Sequence, residues 1–441
     1  MSTLEEQKIN ILNRRDFVKN SAMLAGGMLL SQLPVQASAF VGGSDVIKVA
    51  VIGCGGRGTG AADQALSTKG NVKLVAMADA FKDRLDESYA NLKIKYQGKD
   101  KLDVPESHRF TGFEGYKNAI ALADVVILAT PPGFRPIHFE EAVKAGKHVF
   151  MEKPVATDVP GIRKVLEMAE LAKQKNLNVV VGLQRRYQTL YKEMVKRIHD
   201  GAIGEVLASQ VYWNSPGVWV NLRKPNQTEM EYQMRNWYYF NWLCGDHILE
   251  QHIHNIDVSN WVKNAYPVKA QGMGGRQVRT GKEFGEIFDH HYVEFEYADG
   301  TIMNSQCRHI QGCMENVAES FQGSTGRADS KGLITDLKGK QIWKHREKDD
   351  ANPYQQEHDD LFAAIRSGKI INDAENGAKS TLTAIMGRMA TYSGQVIKLE
   401  DAMKSNLSIM PNKYAWDAKP PTLPDENGFY PIPTPGVTKV I

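Results

Sequence analysis

The chain has 441 residues, enough for two sizeable domains. Its 42% hydrophobic and 24% charged residues exclude a disordered or fibrous chain. A net charge of +3, with no block of like charges, argues against nucleic acid or a membrane surface as the main partner.

Residues 1–39 are a different kind of sequence from the rest. Asn13-Arg14-Arg15-Asp16-Phe17-Val18-Lys19 precedes a modestly apolar run, Ser21 to Leu33, then Pro34 and Ala37-Ser38-Ala39. A basic region, a short apolar region and an A-x-A site make a cleavable export signal. The apolar run is too short to span a bilayer, which takes about 20 residues. The paired arginines followed by x-Phe-Val-Lys resemble a twin-arginine signal, with Asn13 and Val18 as departures. The expected location is the periplasm, reached in the folded state with any cofactor already bound. Free dinucleotide is scarce there, so the cofactor has to stay in place. Cys54, Cys244, Cys307 and Cys313 show no spacing of a disulfide framework or zinc ribbon, and a fold completed in a reducing cytosol needs no disulfide.

Residues 45–182 alternate strand and helix, the pattern of a doubly wound parallel sheet. Val49 to Ile52 is a buried strand, and Gly53, Gly55 and Gly58 fill a GxGxxG turn that opens a helix from Thr59 to Ser67. The glycines supply the tight turn, close backbone approach to a pyrophosphate, and close helix–strand packing. The phosphates sit on the helix N-terminus, where free N–H groups and the dipole favour an anion. Lys73 to Ala78 alternates as a second strand ending at Asp79, where an acid grips the ribose 2′-hydroxyl. Asp124 to Ala129 and His148 to Met151 are further strands, with a helix from Ile137 to Ala145 stopped by Gly146 between them. An amphipathic helix from Val159 to Lys175 and a strand from Asn178 to Gly182 complete this domain.

Residues 183–400 read as a substrate-binding and oligomerisation domain. Val206 to Trp213, Phe288 to Tyr297, Thr301 to Arg308 and Gly332 to Trp343 are extended and alternating, and Asp299-Gly300 is a hairpin signal. Helices follow at Gln356 to Ser367 and Glu375 to Tyr392, so the pattern predicts a mostly antiparallel sheet with helices on one face. Asn214 to Arg235 reads as a long loop near a pocket mouth. Around it crowd Trp213, Trp219, Trp237, Trp242, Tyr232, Tyr238, Tyr239 and Phe240. Aromatic faces interspersed with Asn, Gln and Arg suit a sugar; core and subunit packing use the same residues. The tail, 401–441, carries seven prolines from Pro411 onward and reads as a wrap over this chain or a neighbour.

On Gly53-x-Gly55-x-x-Gly58, Asp79, Ala129-Thr130-Pro131-Pro132 with His138, Glu152-Lys153-Pro154, and Gly245 through Asp257, the chain resembles the Gfo/Idh/MocA oxidoreductases. That family is named for glucose–fructose oxidoreductase and inositol dehydrogenase. The resemblance implies a Rossmann domain holding NAD through Gly53, Gly55, Arg57, Gly58, Asp79, Thr130, Pro131, Pro132, His138, Glu152 and Lys153. It implies a sugar or polyol substrate met by Arg185, Tyr187, Trp237 and Asp257, and a homo-oligomer, dimer or tetramer. Lys153 would stand beside the nicotinamide and the substrate hydroxyl. Glu250, where the family has Asp, and His254 would supply its acid-to-histidine signature, while Asp246 departs from a second glycine.

Asp79 favours NAD, because a 2′-phosphate would meet a carboxylate; Lys82 and Arg84 leave NADP open. Spacing i, i+4 puts Glu250 and His254 on one helical face, so that the carboxylate reaches towards the imidazole. His254 suits a group that takes and returns a proton. Lys153, its pKa depressed by an oxidised nicotinamide, shares that proton or polarises the oxygen. His247 shares the same face, and His247, Glu250 and His254 have zinc-ligating chemistry, but the expected site holds no metal. Three functions follow: an exported NAD(P)-dependent oxidoreductase acting on a secondary hydroxyl, an NAD-dependent glycosidase working by transient oxidation and elimination, or a non-catalytic sugar-binding or assembly protein.

Overall fold

Short runs of β-branched and aliphatic residues build a parallel sheet at the front of the chain. A computed structural model describes residues 46–346 and 350–441, and the export signal lies outside them. The strands are β1 (Ile47–Ile52), β2 (Val72–Asp79), β3 (Arg109–Thr111), β4 (Val125–Leu128), β5 (His148–Met151) and β6 (Val179–Val181). They lie in the order β3-β2-β1-β4-β5-β6, all parallel. β4 and β6 are buried throughout, as strands covered on both faces must be. The order reverses between β1 and β4, so a ligand crevice opens beyond the carboxyl ends of those strands. The helix after β1 starts at Gly56, three residues before the expected Thr59. The short strand β3 and the helices Lys82–Lys95 and Gly115–Leu122 carried no clear signal in the sequence.

The second sheet contains β7 (Val206–Ser215), β8 (Lys269–Gly275), β9 (His290–Glu296), β10 (Ile302–His309), β11 (Asn316–Gly323), β12 (Gly326–Asp329), β13 (Leu333–Asp336), β14 (Gln341–Lys344) and β15 (Ile397–Lys398). Its order is β14-β13-β12-β11-β7-β10-β9-β8-β15. Every pairing is antiparallel except β7 with β10, which run parallel. The predicted hairpin at Asp299-Gly300 joins β9 to β10, with Gly300 at φ 81°. The segment expected as one strand, Gly332 to Trp343, is two, because it turns where Asp336 N–H donates to the Lys340 carbonyl. The expected loop Asn214 to Arg235 is also corrected. β7 runs on to Ser215, and Glu229–Arg235 is a helix capped by Thr228, whose side chain accepts from Glu231 N at 3.2 Å.

Helices Ile253–Lys263 and Ala374–Ser393 pack one face of this sheet. The other face shows Gln210, Tyr212, Glu294 and Asn304, joined by hydrogen bonds from Tyr212 and Tyr292. The helix Pro353–Ser367, late in the chain, crosses back: Leu361, Phe362 and Ile365 enter the same core as Ile47, Val49 and Val51. From Pro411 the tail has neither helix nor strand and lies against its own chain. The described residues belong to one compact unit, and no helix among them is long and apolar enough to cross a membrane.

The returning helix buries His358 against Phe150 of β5, ring centroids 4.1 Å apart. Neither ring nitrogen has a hydrogen-bond partner, and burial followed by the nearby Arg57 charge pushes its pKa down to about 3. The unfolded chain therefore protonates this residue first, near pH 6.5, and its contribution to stability is lost as pH falls from there towards 3. His358→Phe should become more stable relative to the wild type by about 1.4 kcal/mol per pH unit across that window. Urea titrations at several pH values measure the difference, and a constant difference would refute the assignment.

Candidate active site

The glycine turn is held by close contacts at both ends. Gly53 has φ +93°, and a Cβ there would fall 2.5 Å from Ala129 C and Thr130 N. A Cβ on Gly58 would stand 1.8 Å from the Gly53 carbonyl oxygen. Gly55 and Gly56 behave differently: nothing lies within 4 Å of a Cβ built on either, so their backbone faces open space. The helix from Gly56 has no side-chain cap. Tight glycines behind and open glycines in front, at an uncapped helix start, fit a pyrophosphate.

Asp79, at the end of β2, accepts from Cys54 N at 2.6 Å and Phe81 N at 2.8 Å. Burial raises its pKa, and those two N–H groups partly offset the effect. It thus fastens the glycine turn as well as facing the place of a ribose. Thr130 holds His138 through Oγ1 to Nδ1 at 3.2 Å, and burial, then the Arg135 charge, lowers His138 to about 3. Arg135, which the sequence reading missed, is fully buried and donates to the carbonyls of Leu128 (2.6 Å) and Thr130 (2.7 Å). No periodicity marks such an arginine, because it serves backbone groups left over at a strand end.

These residues line a cavity of about 690 Å³ between the two sheets, within the usual range for a cofactor or ligand site. Glu152, Lys153, Arg185, Trp237, Glu250 and His254 line it too. Arg57 of the glycine turn pairs with Glu152 at 2.7 Å, and the Glu152 carboxylate occupies the space a side chain on Gly182 would need. Lys153 Nζ donates to the Glu250 carbonyl and lies 3.3 Å from Glu250 Oε1, with both side chains 11% exposed.

The predicted single helix carrying Glu250 and His254 is corrected. Gly245 and Asp246 both have positive φ, 76° and 74°, and a short helix, His247–Glu250, follows them. A second helix, Ile253–Lys263, holds His254 in its first turn. Glu250 consequently faces Lys153, and it is the lysine that its carboxylate reaches. Burial raises the Glu250 pKa, with the Lys153 charge opposing, and Oε2 has no partner. Burial pushes His254 well below the usual histidine value, and the charges of Lys153 and Arg185 add to this. His254 is therefore neutral, its ring stacked 5.9 Å from Trp213 with Nδ1 unpartnered. A neutral imidazole beside a lysine can accept a proton from an alcohol.

Two substrate residues expected from the sequence are placed elsewhere. Tyr187 donates to Asp373 at 2.5 Å and sits in the first sheet's core. Asp257 takes both arms of Arg186, at 2.8 and 2.9 Å, and Ser380 at 2.7 Å. Neither lines the cavity; each satisfies a buried partner instead. Arg185 does line it, fixed by the buried Glu319, which also accepts from Asn255 (2.7 Å) and Tyr191 (2.9 Å). The aromatic cluster divides: Trp213, Trp219 and Trp237 line the cavity, while Trp242, Tyr238, Tyr239 and Phe240 are core.

The zinc-ligating grouping of His247, Glu250 and His254 does not form. Among the described residues, the group compact enough for a metal is Asp246, His247 and His291. Its carboxylate already accepts from His247 N and Nδ1, Phe288 N and Tyr392. The Asp246 departure is thus a buried brace for the short helix.

The geometry joins a parallel sheet and a second, mostly antiparallel sheet around a glycine-cradled cavity that holds an acid, a lysine and a neutral histidine. Residues 47–183 match the model of the GFO_IDH_MocA oxidoreductase family, NAD-binding Rossmann fold. Those residues, under a third of the chain, are similar to the NAD-binding domain of that family. An inositol 2-dehydrogenase from Saccharopolyspora erythraea is 30% identical over 209 residues, 45% of this chain and 54% of the relative. A glycosyl hydrolase family 109 protein from Shewanella pealeana is 29% identical over 214 residues, 44% of each. These matches span about half the length of either relative. The fold is that of an aldose–aldose oxidoreductase from Caulobacter crescentus, TM-score 0.62 at 20% identity, over 80% of this chain and 100% of that one.

Lys153→Ala and His254→Ala should each lower turnover by about 10²–10⁴-fold with dinucleotide still bound. Because both act on one proton, the double variant should be little worse than either single. Glu250→Gln should cost less, since it orients the lysine. Near-normal turnover of Lys153→Ala would reject this site.

Proposed function

We propose that the protein is an exported NAD-dependent oxidoreductase that oxidises a secondary hydroxyl of a sugar, glycoside or polyol, with the dinucleotide tightly held. The observation that carries this reading is Lys153 at the end of β5, held by Glu250 and next to a neutral His254, in the glycine-cradled cavity. When bound, NAD+ accepts the hydride. His254 takes the hydroxyl proton, and Lys153 fixes the oxygen. Trp213, Trp219 and Trp237 offer flat faces to a ring, and Arg185 offers donors to its hydroxyls. The relatives named for inositol oxidation and the neighbour named for aldoses support the substrate class. The paired arginines Arg14 and Arg15 support periplasmic export by the twin-arginine route.

The second reading, a redox-neutral glycosidase, is favoured by the unpartnered Glu250 Oε2, which supplies a further base for a C–H proton next to a transient ketone. The family 109 relative supports it too. Purified protein should release NAD on denaturation. A panel of sugars, polyols and glycosides should then give either NADH and a ketone, or a cleaved glycoside without net NADH. Neither product with any of them would leave the non-catalytic reading. Replacing Arg14 and Arg15 by lysine should hold the precursor in the cytoplasm, and normal export of that variant would reject the route.

A further inference from the structure

The end of the cavity nearest Asp79 is walled by Phe81 and Phe113, which follow β2 and β3. In a doubly wound sheet this is the adenosine end of a dinucleotide site. Both rings are backed by chain from far away in sequence. Trp416 of the tail lies 5.0 Å from Phe81 and 4.6 Å from Phe113, and Tyr414 lies 5.4 Å from Phe134. The Arg235 guanidinium, on a helix of the second half, sits 3.9 Å from the Phe81 centroid. The same guanidinium forms a two-armed pair with Asp83, at 2.7 and 3.1 Å, on the helix that follows Phe81.

The tail is pinned on both sides of Trp416. Upstream, Asp158 accepts from Ser408 Oγ at 3.0 Å and Ile409 N at 3.1 Å. Downstream, buried Gln233 donates to the Thr422 carbonyl at 2.7 Å. Phe81 can therefore swing outward only if Arg235 leaves Asp83 or the tail lifts from its anchors.

We infer that Trp416 and Arg235 form a collar that locks the adenosine end of the dinucleotide site, so that NAD is exchanged far more slowly than turnover. This rests on the NAD reading above. It narrows the reaction class: with no exchange, the hydride taken from one carbon, with two electrons, must return to a carbonyl carbon at the same site. That carbonyl is either a later form of the same substrate or a second carbonyl-bearing substrate, which regains a proton as it is reduced.

The test loads full-length protein with radiolabelled NAD, removes the excess and chases with unlabelled NAD. Trp416→Ala and Arg235→Ala should each speed release by roughly tenfold or more, since one aromatic or cation–π contact is worth about that factor and acts mainly on dissociation. Trp416→Phe should restore much of the retention, which a general loss of folding would not allow. Asp83→Asn removes the charge of a largely exposed carboxylate and weakens its hold on Arg235, which keeps Glu231 as a partner, so it tests the collar in a sound fold. Release as slow in Trp416→Ala and Asp83→Asn as in the wild type would overturn the collar. A wild type that yields no NAD on denaturation, either as purified or after incubation with the label, would instead overturn the dinucleotide reading, and the collar with it.

Discussion

The contact between Gly58 and the Gly53 carbonyl fixes where every other part of the cavity can stand. With no side chain in that gap, the first helix starts directly against the end of β1, and the turn lies on Ala129 and Thr130. Arg135 then ties off the carbonyls that β4 leaves unpaired, which stiffens the loop facing the glycines. Asp79 closes the arrangement from the other side through the Cys54 amide. A rigid floor of this kind lets binding energy go into holding a ligand, because no loop has to be ordered first.

Above that floor, most charges meet an opposite charge from a different segment. Arg57 meets Glu152, Lys153 meets Glu250, Arg185 meets Glu319, and Arg235 meets Asp83. Pairs as buried as Lys153–Glu250 add little net stability, but removing one partner strands the other. Their value here is registration: Lys153–Glu250 and Arg185–Glu319 join the end of the parallel sheet to the second half at the points where chemistry needs both.

Much of this was legible in the sequence because the first domain is governed by local rules. The glycine spacing, Asp79 and the Glu152-Lys153-Pro154 turn each follow a strand whose apolar run is plain, so the strand ends locate the site. The second half was harder to read. β8 is rich in glycine and β12 has four residues, so alternation had little to show. The register of Glu250 and His254 was misread because two successive positive φ values and a helix break move Glu250 to the lysine, and only tertiary contacts to Asp246 reveal why. The family resemblance set Tyr187 and Asp257 against a substrate, yet their partners, Asp373 and Arg186, lie on segments whose approach no spacing encodes.

The helix Pro353–Ser367 has a consequence for how the polypeptide is made. The core around β1 is completed by Leu361, Phe362 and Ile365, which leave the ribosome after more than four-fifths of the chain. The parallel union of β7 with β10 likewise waits for a strand nearly a hundred residues downstream. Vectorial synthesis therefore cannot finish the first domain before beginning the second, and the nascent chain carries open apolar surface until close to termination. Such long-range closure slows folding and lengthens the time during which chaperones are needed.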